Sequence, residues 1–327
     1  MKVLFIGSSN YEDGISSLII NQGNSLGKTG IHIDFYGIKG KGMTGYMKNI
    51  IPLRKVLKSQ NYDIIHAHYG ISGMVALLAR KKEKVIISFM GSDVIKLKQH
   101  RLKYKLANSA EVLLNRFLSR YFYDFVIVKS KEMFDALPHL KNKEIIPNGV
   151  DLALFFPIPK DKARSALNLD PVRKIVLFAS DSNRPEKNYL LAEKAVRMIN
   201  DHDIQMIELK NIELQQVRYY YCASDLLLLT SLHEGSPNVI KEAAACNCPI
   251  VSTDVGDVSW VVGDTDGCYV SSFDPENVEA NIRSALRFSE EKIRTTGRER
   301  IIEIGLDDET IAKKILEVYK KTLEKID

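Results

Sequence analysis

The chain has 327 residues, 45% of them hydrophobic and 27% charged, with 46 Lys plus Arg against 41 Asp plus Glu for a formal charge of +5. That length and balance indicate a globular protein with two domains, and they exclude collagen-like, disordered and disulfide-scaffold chains. The charge is unevenly divided: residues 1–150 carry 23 basic and 11 acidic side chains, a balance of +12, and residues 151–327 carry 23 and 30, a balance of −7.

The opening MKVLFIGSSNYEDG has too short an apolar run for a secretory segment and reads as a first β-strand, Val3–Ile6. Further short, β-branched-rich runs follow at His32–Tyr36, Ile64–Ala67, Val85–Phe89, Phe125–Val128 and Glu144–Ile146. Between them lie helical stretches such as Ser16–Leu26, Met47–Ser59 and Ser109–Tyr121. The βαβ rhythm predicts a parallel sheet covered on both faces. DLALFFPIPKDKAR after Val150, with Pro157 and Pro159, reads as a linker. The rhythm then restarts with strands Ile175–Ala179, Met206–Leu209, Leu226–Thr230, Ile250–Thr253 and Cys268–Val270. Helices are expected near Leu190–Ile199, Gln215–Ala223, Asn238–Ala245 and Pro275–Phe288. In Asp308–Ile326, Ile311, Ile315, Tyr319 and Leu323 recur every four residues as one helical stripe. The division expected is 1–155, 156–307 and a C-terminal helix 308–327 returning to the first domain. Ligands of such doubly wound α/β domains sit at the carboxyl ends of the strands.

Several chemistries lose support. No run approaches a membrane span. Cys222, Cys246, Cys248 and Cys268 lack Cys-x-x-Cys spacing and a nearby His pair, so no zinc site is expected, and free thiols fit a reducing cytoplasm. GSSNYEDG at 7–14 is not the dinucleotide fingerprint, and no Gly-Lys-Ser/Thr phosphate loop exists.

The most informative stretch is LLLLTSLHEGSPNVIKEAAACNCPIVSTDVGD at 226–257. A buried strand runs into a Ser-Leu-His-Glu-Gly-Ser-Pro loop and then a helix, with Ser236 suited to the N-cap and Pro237 to the first turn. The N–H groups and positive dipole end of that helix make a place for phosphate or a polar sugar. Glu234 lies in the loop and Glu242 in the second helical turn, so two carboxylates could hold both ends of a nucleotide-sugar. Taken singly, the residues equally allow Glu234 as a cap and Glu242 as a solvated acid. FASDSNRPEKN at 178–188 places Arg184 and Lys187 after the first strand of the second domain, where they could meet a pyrophosphate or lie on a solvated loop.

The 226–257 string closely resembles the Glu-x7-Glu element of retaining glycosyltransferases, and the family it resembles is glycosyltransferase family 4. IIPNGVDLALFFP at 145–157, NYDIIHAHYG at 61–70 and GSD at 91–93 are similar to that family's interdomain and N-terminal segments, in the same order. The resemblance implies a GT-B fold, two Rossmann-like doubly wound domains facing across a cleft. It implies retaining, metal-independent transfer from a nucleotide-sugar, which is a substrate, with no cofactor. Arg184 and Lys187 would then neutralise the leaving diphosphate, Glu234 would orient the sugar and Glu242 would hold the ribose. Gly235, Ser236, Pro237 and Asn238 would line the donor phosphates, and Gly14 would approach them from the first domain. The sequence departs from the family in lacking the usual Gly-Arg at the strand end and in having Met90 in Phe89-Met90-Gly91 where a His is usual. His68 is the substitute contact for a sugar hydroxyl or phosphate, with a structural histidine as the alternative. His66 and His68, alternating at a strand end, are expected to face opposite ways or to diverge there. The base pocket is expected near Leu209–Asn211.

The resemblance further implies a saccharide or lipid-linked acceptor in cell-surface polysaccharide synthesis. KGKGMTGYMKN at 39–49 and KLKQHRLKYK at 96–105 are basic runs that are either solvated or drawn to an anionic membrane surface, on its cytoplasmic side. Nucleic acid is not expected, because no aromatic stacking platform interleaves them. The alternatives are a nucleotide-sugar epimerase of the same architecture and a non-catalytic glycan- or membrane-binding relative.

Overall fold

The computed structural model describes residues 1–10, 14–95, 102–291 and 294–324, with backbone alone at 102–106. Contacts divide the chain into one unit of Met1–Gly149 plus the segment from Asp308, and a second of Val150–Asp307. The division falls before the prolines on which the 155/156 expectation rested. Val150 N donates to Leu306 O at 2.9 Å and Val150 bridges Asp307, so the chain from Val150 on belongs to the second unit.

In the first unit, six strands form an all-parallel sheet: β1 (Lys2–Ser8), β2 (His32–Ile38), β3 (Ile64–His68), β4 (Lys84–Ser88), β5 (Phe125–Val128) and β6 (Lys143–Ile145), in the order β2-β1-β3-β4-β5-β6. The β-branched runs are buried as both faces require: all five residues of β3 and all four of β5 are buried. Leu4, Ile65, Val85 and Val126 pack with Leu53, Val75 and Phe89 in one core. The expected helix Met47–Ser59 is two helices, Gly42–Met47 and Ile50–Ser59. Asn49 separates them: its buried side chain donates to Lys39 O at 2.8 Å and Gly45 O at 2.9 Å, a local alternative to helical bonding. The helix Gly70–Ala79 was not foreseen. The expected helix from Ser109 starts earlier, at Leu102. Residues 96–101 of the basic run lie outside the described residues, as do 11–13 of the first loop and the last residues of the expected C-terminal helix.

That helix, Asp308–Glu324, docks on the first unit through buried Ile311, Ile315, Val318 and Tyr319, with Leu323 half-buried at the end of the stripe. The Tyr319 hydroxyl meets His66 Nδ1 at 2.6 Å, and His66 Nε2 meets Ser88 Oγ at 2.8 Å, so one imidazole links the helix to β3 and β4. Ser25 Oγ donates to Asp308 O at 3.0 Å at the other end. Tyr319→Phe leaves a buried ring nitrogen without its partner and is expected to cost about 1–3 kcal/mol of stability, read as a lower urea midpoint at unchanged slope.

The second unit carries β7 (Lys174–Phe178), β8 (Ile204–Glu208), β9 (Leu226–Leu229), β10 (Ile250–Thr253) and β11 (Cys268–Ser271), all parallel, in the order β11-β10-β9-β7-β8. Val176, Phe178, Leu226, Leu228 and Val251 meet Ala192, Ala195, Ile282 and Ala285 from the covering helices. The expected linker contains a short helix, Lys160–Ala166, tied in by the buried ion pair of Arg164 with Asp225 at 2.9 Å.

Candidate functional site

The strand orders locate the candidate sites. In an open doubly wound sheet, ligands bind at the carboxyl ends where successive connections leave in opposite directions. In the second sheet that point lies between β7, whose chain continues to β8, and β9, whose chain continues to β10. The loops after β7 and β9 are therefore neighbours, and they are the two segments carrying Lys187 and Glu234.

Side chains and backbone lace these loops together. Thr230 Oγ1, at the end of β9, donates toward Lys187 O at 3.1 Å and Asn188 O at 3.0 Å, and Leu232 N donates to Glu186 O at 2.9 Å. Asn188 takes a left-handed φ of 53°, ending the short turn Pro185–Lys187 and starting the helix Tyr189–Ile199. The result is an ion pair between residues 47 apart in sequence. Lys187 Nζ donates to Glu234 Oε1 at 2.5 Å, with the side chains 12% and 17% exposed. Ser231 Oγ donates to the same oxygen at 2.7 Å.

The Glu234 loop is shaped by a close backbone approach. Gly256, at φ 62°, lies so near that a Cβ there would meet Gly235 O at 2.7 Å, so the β10 loop can pass only as glycine. Thr253 Oγ1 donates to Ser231 O at 2.8 Å from the same side. The helix Asn238–Ala245 follows, and here the N-cap expectation is corrected: Pro237 occupies the cap position without a side-chain cap bond. Ser236 Oγ donates instead to Asp257 Oδ2 at 2.6 Å, because the β10 loop brings a buried carboxylate within reach. Gly235 and Pro237 are buried, while Asn238 is half-buried at the first helical position.

Glu242 is half-buried on that helix and accepts a hydrogen bond from the Tyr221 hydroxyl at 2.8 Å. Burial raises its carboxyl pKa, opposed by the Tyr221 hydroxyl and the Lys241 ammonium. Burial likewise lowers the pKa of Lys241, opposed by Asp257 and Glu242, and raises that of Asp257, opposed by Lys241 and Ser236. Asp257 Oδ1 is buried with no hydrogen-bond partner among the described residues. Tyr221, Lys241 and Asp257 were not foreseen. Lys241 and Asp257 lie within the quoted string, but only tertiary contact sets them together.

Arg184 stands apart from this cluster. Its guanidinium is 55% exposed and pairs with Glu186, at 2.6 Å from Nη2 and 2.8 Å from Nε, two residues along its own loop. Around the expected base pocket, Lys210 pairs with Asp181 at 3.0 Å and Asn211 takes φ 53°.

In the first sheet the corresponding point lies between β1, whose following loop carries Gly14 at φ 89°, and β3, whose last residue is His68. His66 and His68 do not face opposite ways: their rings stack with centroids 4.5 Å apart and planes at 25°. Residues two apart in a strand share a face, so the expectation is corrected by strand geometry itself. His68 is 3% exposed, its Nε2 has no hydrogen-bond partner among the described residues, and burial, with Lys129 nearby, pushes its pKa down to about 3. It is a neutral imidazole at neutral pH, able to take one hydrogen bond. Met90 N and Gly91 N both donate to the buried Asp93 carboxylate, at 3.1 and 2.9 Å, as does Gly70 N at 3.2 Å. Asp93 thus folds the loop after β4 onto the start of the helix Gly70–Ala79, and burial raises its pKa to about 6. Among the described residues, no group of three or more His, Cys, Asp or Glu is placed to hold a metal ion.

The fold with its two switch points is that of the GT-B glycosyltransferases. Sucrose-phosphate synthase from Thermosynechococcus elongatus superposes over 99% of both chains at 19% identity and a TM-score of 0.79. Anabaena HepE, solved in complex with UDP and glucose, does so over 98% of this chain and all of that one, at 16% identity and a TM-score of 0.71. In sequence, the family model described as "Glycosyl transferase 4-like" matches residues 13–120, and that described as "Glycosyl transferases group 1" matches residues 183–287. D-inositol 3-phosphate glycosyltransferase from Segniliparus rotundus is 25% identical over 308 residues, which cover 80% of this chain and 67% of that protein. UDP-Gal:alpha-D-GlcNAc-diphosphoundecaprenol alpha-1,3-galactosyltransferase from Escherichia coli is 25% identical over 284 residues, 76% of this chain and 71% of that one. A second D-inositol 3-phosphate glycosyltransferase, from Geodermatophilus obscurus, is matched over 60% of its length. Together these matches support a GT4-like glycosyltransferase.

Proposed function

We propose that the protein transfers a sugar from a nucleoside-diphosphate donor to a lipid-linked or glycan acceptor in cell-surface polysaccharide synthesis, with retention at the anomeric carbon and without a metal. The Lys187–Glu234 pair at the switch point of the second sheet carries this reading. Departure of a nucleoside diphosphate develops negative charge on the diphosphate and oxocarbenium character on the sugar. A preformed cation beside a carboxylate suits that charge pattern: Lys187 meets the leaving phosphate while Glu234 orients the ring through its hydroxyls. Glu242, held by Tyr221, accepts from the ribose diol. Asn238, the N–H groups of the helix Asn238–Ala245 and the backbone N–H groups of Gly235 and Ser236 take the phosphates, Pro237 opens the helix beside them, and the Ser236 hydroxyl joins only by leaving Asp257. In the first unit, taken by itself, Gly14 leaves that sheet's switch point open to close approach, and His68 Nε2, without a partner among the described residues, can meet a sugar hydroxyl. Arg184 reaches phosphate only by leaving Glu186.

HepE, solved with UDP and glucose, supports the nucleotide-sugar donor, and the E. coli relative, named for a diphosphoundecaprenol-linked substrate, supports the lipid-linked acceptor. Such an acceptor would bring the protein to the cytoplasmic face of the membrane. No helix among the described residues is long and apolar enough to cross one.

Thermal-shift titration with UDP, GDP and ADP tests the donor site. The cognate nucleotide at a hundred times its Kd is expected to add about 2.7 kcal/mol of stability. Its sugar conjugate should then release nucleoside diphosphate faster when a lipid-diphosphate saccharide is supplied. The anomeric configuration of the product, read by NMR, tests retention. No shift with any nucleotide, or conversion of the donor to an epimer without transfer, would refute the proposal.

A further inference from the structure

The helix Leu102–Tyr121 turns Val112 and Leu118 to the first unit and leaves a second apolar side outside. Its inward side carries buried Asn115, donating to Asp93 O at 2.8 Å, and buried Ser119, donating to Asn115 O at 2.7 Å, alongside Val112. Its outward side carries Ala110, Leu113, Leu114, Phe117 and Tyr121, a stripe at steps of three and four. Leu113 is 60% exposed, Phe117 53%, Tyr121 62%, and Phe122, just past the helix, 45%. The Phe117 ring lies 5.1 Å from that of Tyr121 and 5.8 Å from that of Phe122, so the three form one exposed aromatic patch. A surface helix ordinarily turns its apolar stripe to the core, and a contiguous apolar patch left outside marks an interaction site.

Charge identifies the partner. Tyr121 and Phe122 also line a groove of about 780 Å³ with Arg80, Lys84, Lys141, Lys143 and Lys321. Three acids share it, Asp124, Glu144 and Glu324, and Asp124 is held by Arg80 and Lys84 at 3.3 Å each. Arg120, exposed beside the patch, lies 5.6 Å over the Tyr121 ring. We propose that this aromatic face and the cationic groove beside it dock the protein on an anionic lipid surface. Phe117, Tyr121 and Phe122 enter the headgroup region while the exposed Arg120, Lys141 and Lys321 meet lipid phosphates. A second copy of the chain fits less well, because a two-fold interface sets the same surface against itself and would bring two net-cationic grooves together, each with five cations and three acids. The surface deepens the reading of a lipid-linked acceptor. It uses none of the residues assigned to donor chemistry, so membrane binding and sugar transfer can fail separately.

The test is co-sedimentation of the full chain with vesicles of phosphatidylcholine alone or doped with phosphatidylglycerol. Binding is expected only to the anionic vesicles and should weaken with salt. Phe117→Asp with Tyr121→Asp is expected to lower partitioning by about tenfold or more, and Lys141→Gln with Lys321→Gln by about fivefold per cation removed. Because all four side chains are exposed, the melting temperature and donor stabilisation should stay at wild-type values, which separates lost docking from lost folding. Absence of wild-type binding to anionic vesicles would overturn the proposal, as would undiminished binding by the aspartate variant. So would a solution dimer that Phe117→Asp dissolves without any effect of vesicles.

Discussion

Glu242→Gln is expected to lower kcat/KM for the nucleotide-sugar by about a hundredfold while leaving the fold intact. The Tyr221 hydroxyl donates to Glu242 Oε2 at 2.8 Å, and an amide oxygen at that position accepts the same bond. What the substitution removes is the charge. Hydrogen bonds to an ionised group contribute about 1.5–3 kcal/mol each, so weakening two bonds to a diol accounts for a hundredfold loss. The loss should fall on the nucleotide itself, raising the Kd for the free nucleoside diphosphate as well as for its sugar conjugate. Glu242→Ala is the poorer probe, since Tyr221 is fully buried and its hydroxyl would lose its partner. Nucleotide titration beside a thermal melt decides the matter: unchanged affinity in a folded Gln variant removes Glu242 from the ribose.

Much of this architecture was legible because parallel strands buried on both faces must be short apolar runs. Phe125–Val128 and Ile250–Thr253 could be bounded to the residue, since polar or turn residues flank them. The helix Gly70–Ala79 escaped because GISGMVALLA is apolar throughout and shows no helical period to read. The break at Asn49 escaped because it depends on carbonyls of Lys39 and Gly45 that only the folded loop presents. At the site, Glu234 and Glu242 stood in one string, but the partner of each lies elsewhere: Lys187 comes from the loop after β7, and Tyr221 from the preceding helix. Ser236 looked like a cap by residue type and position, and the Asp257 carboxylate, 21 residues on, took its hydroxyl instead. Local pattern shows which residue types are present. Which of them meet is decided by strand order, which the rhythm of elements narrows without fixing.

The contrast between Lys187 and Arg184 makes the second large prediction. Both are cations in one loop, yet their surroundings differ. The Lys187 ammonium is nearly enclosed at 12% exposure, held on Glu234, and its loop is pinned by Thr230 to the end of β9. A charge fixed before the reaction stabilises a departing diphosphate without reorganising, and removing one such group costs about 10²–10³ in kcat. Lys187→Met keeps the length and removes the charge, so kcat should fall by that factor while KM changes little. Arg184 is 55% exposed and engaged by Glu186, so Arg184→Ala should change kcat by about threefold or less. Lys187→Met also leaves Glu234 with the Ser231 hydroxyl in place of its ion pair. The double variant Lys187→Met/Glu234→Gln should therefore lose less than the two single losses combined, as residues in one pair do. Single-turnover rates with saturating donor separate these outcomes. If Arg184→Ala proves as damaging as Lys187→Met, the loop must rearrange on donor binding to bring the guanidinium off Glu186, and the pair held by Thr230 would not be the reacting arrangement.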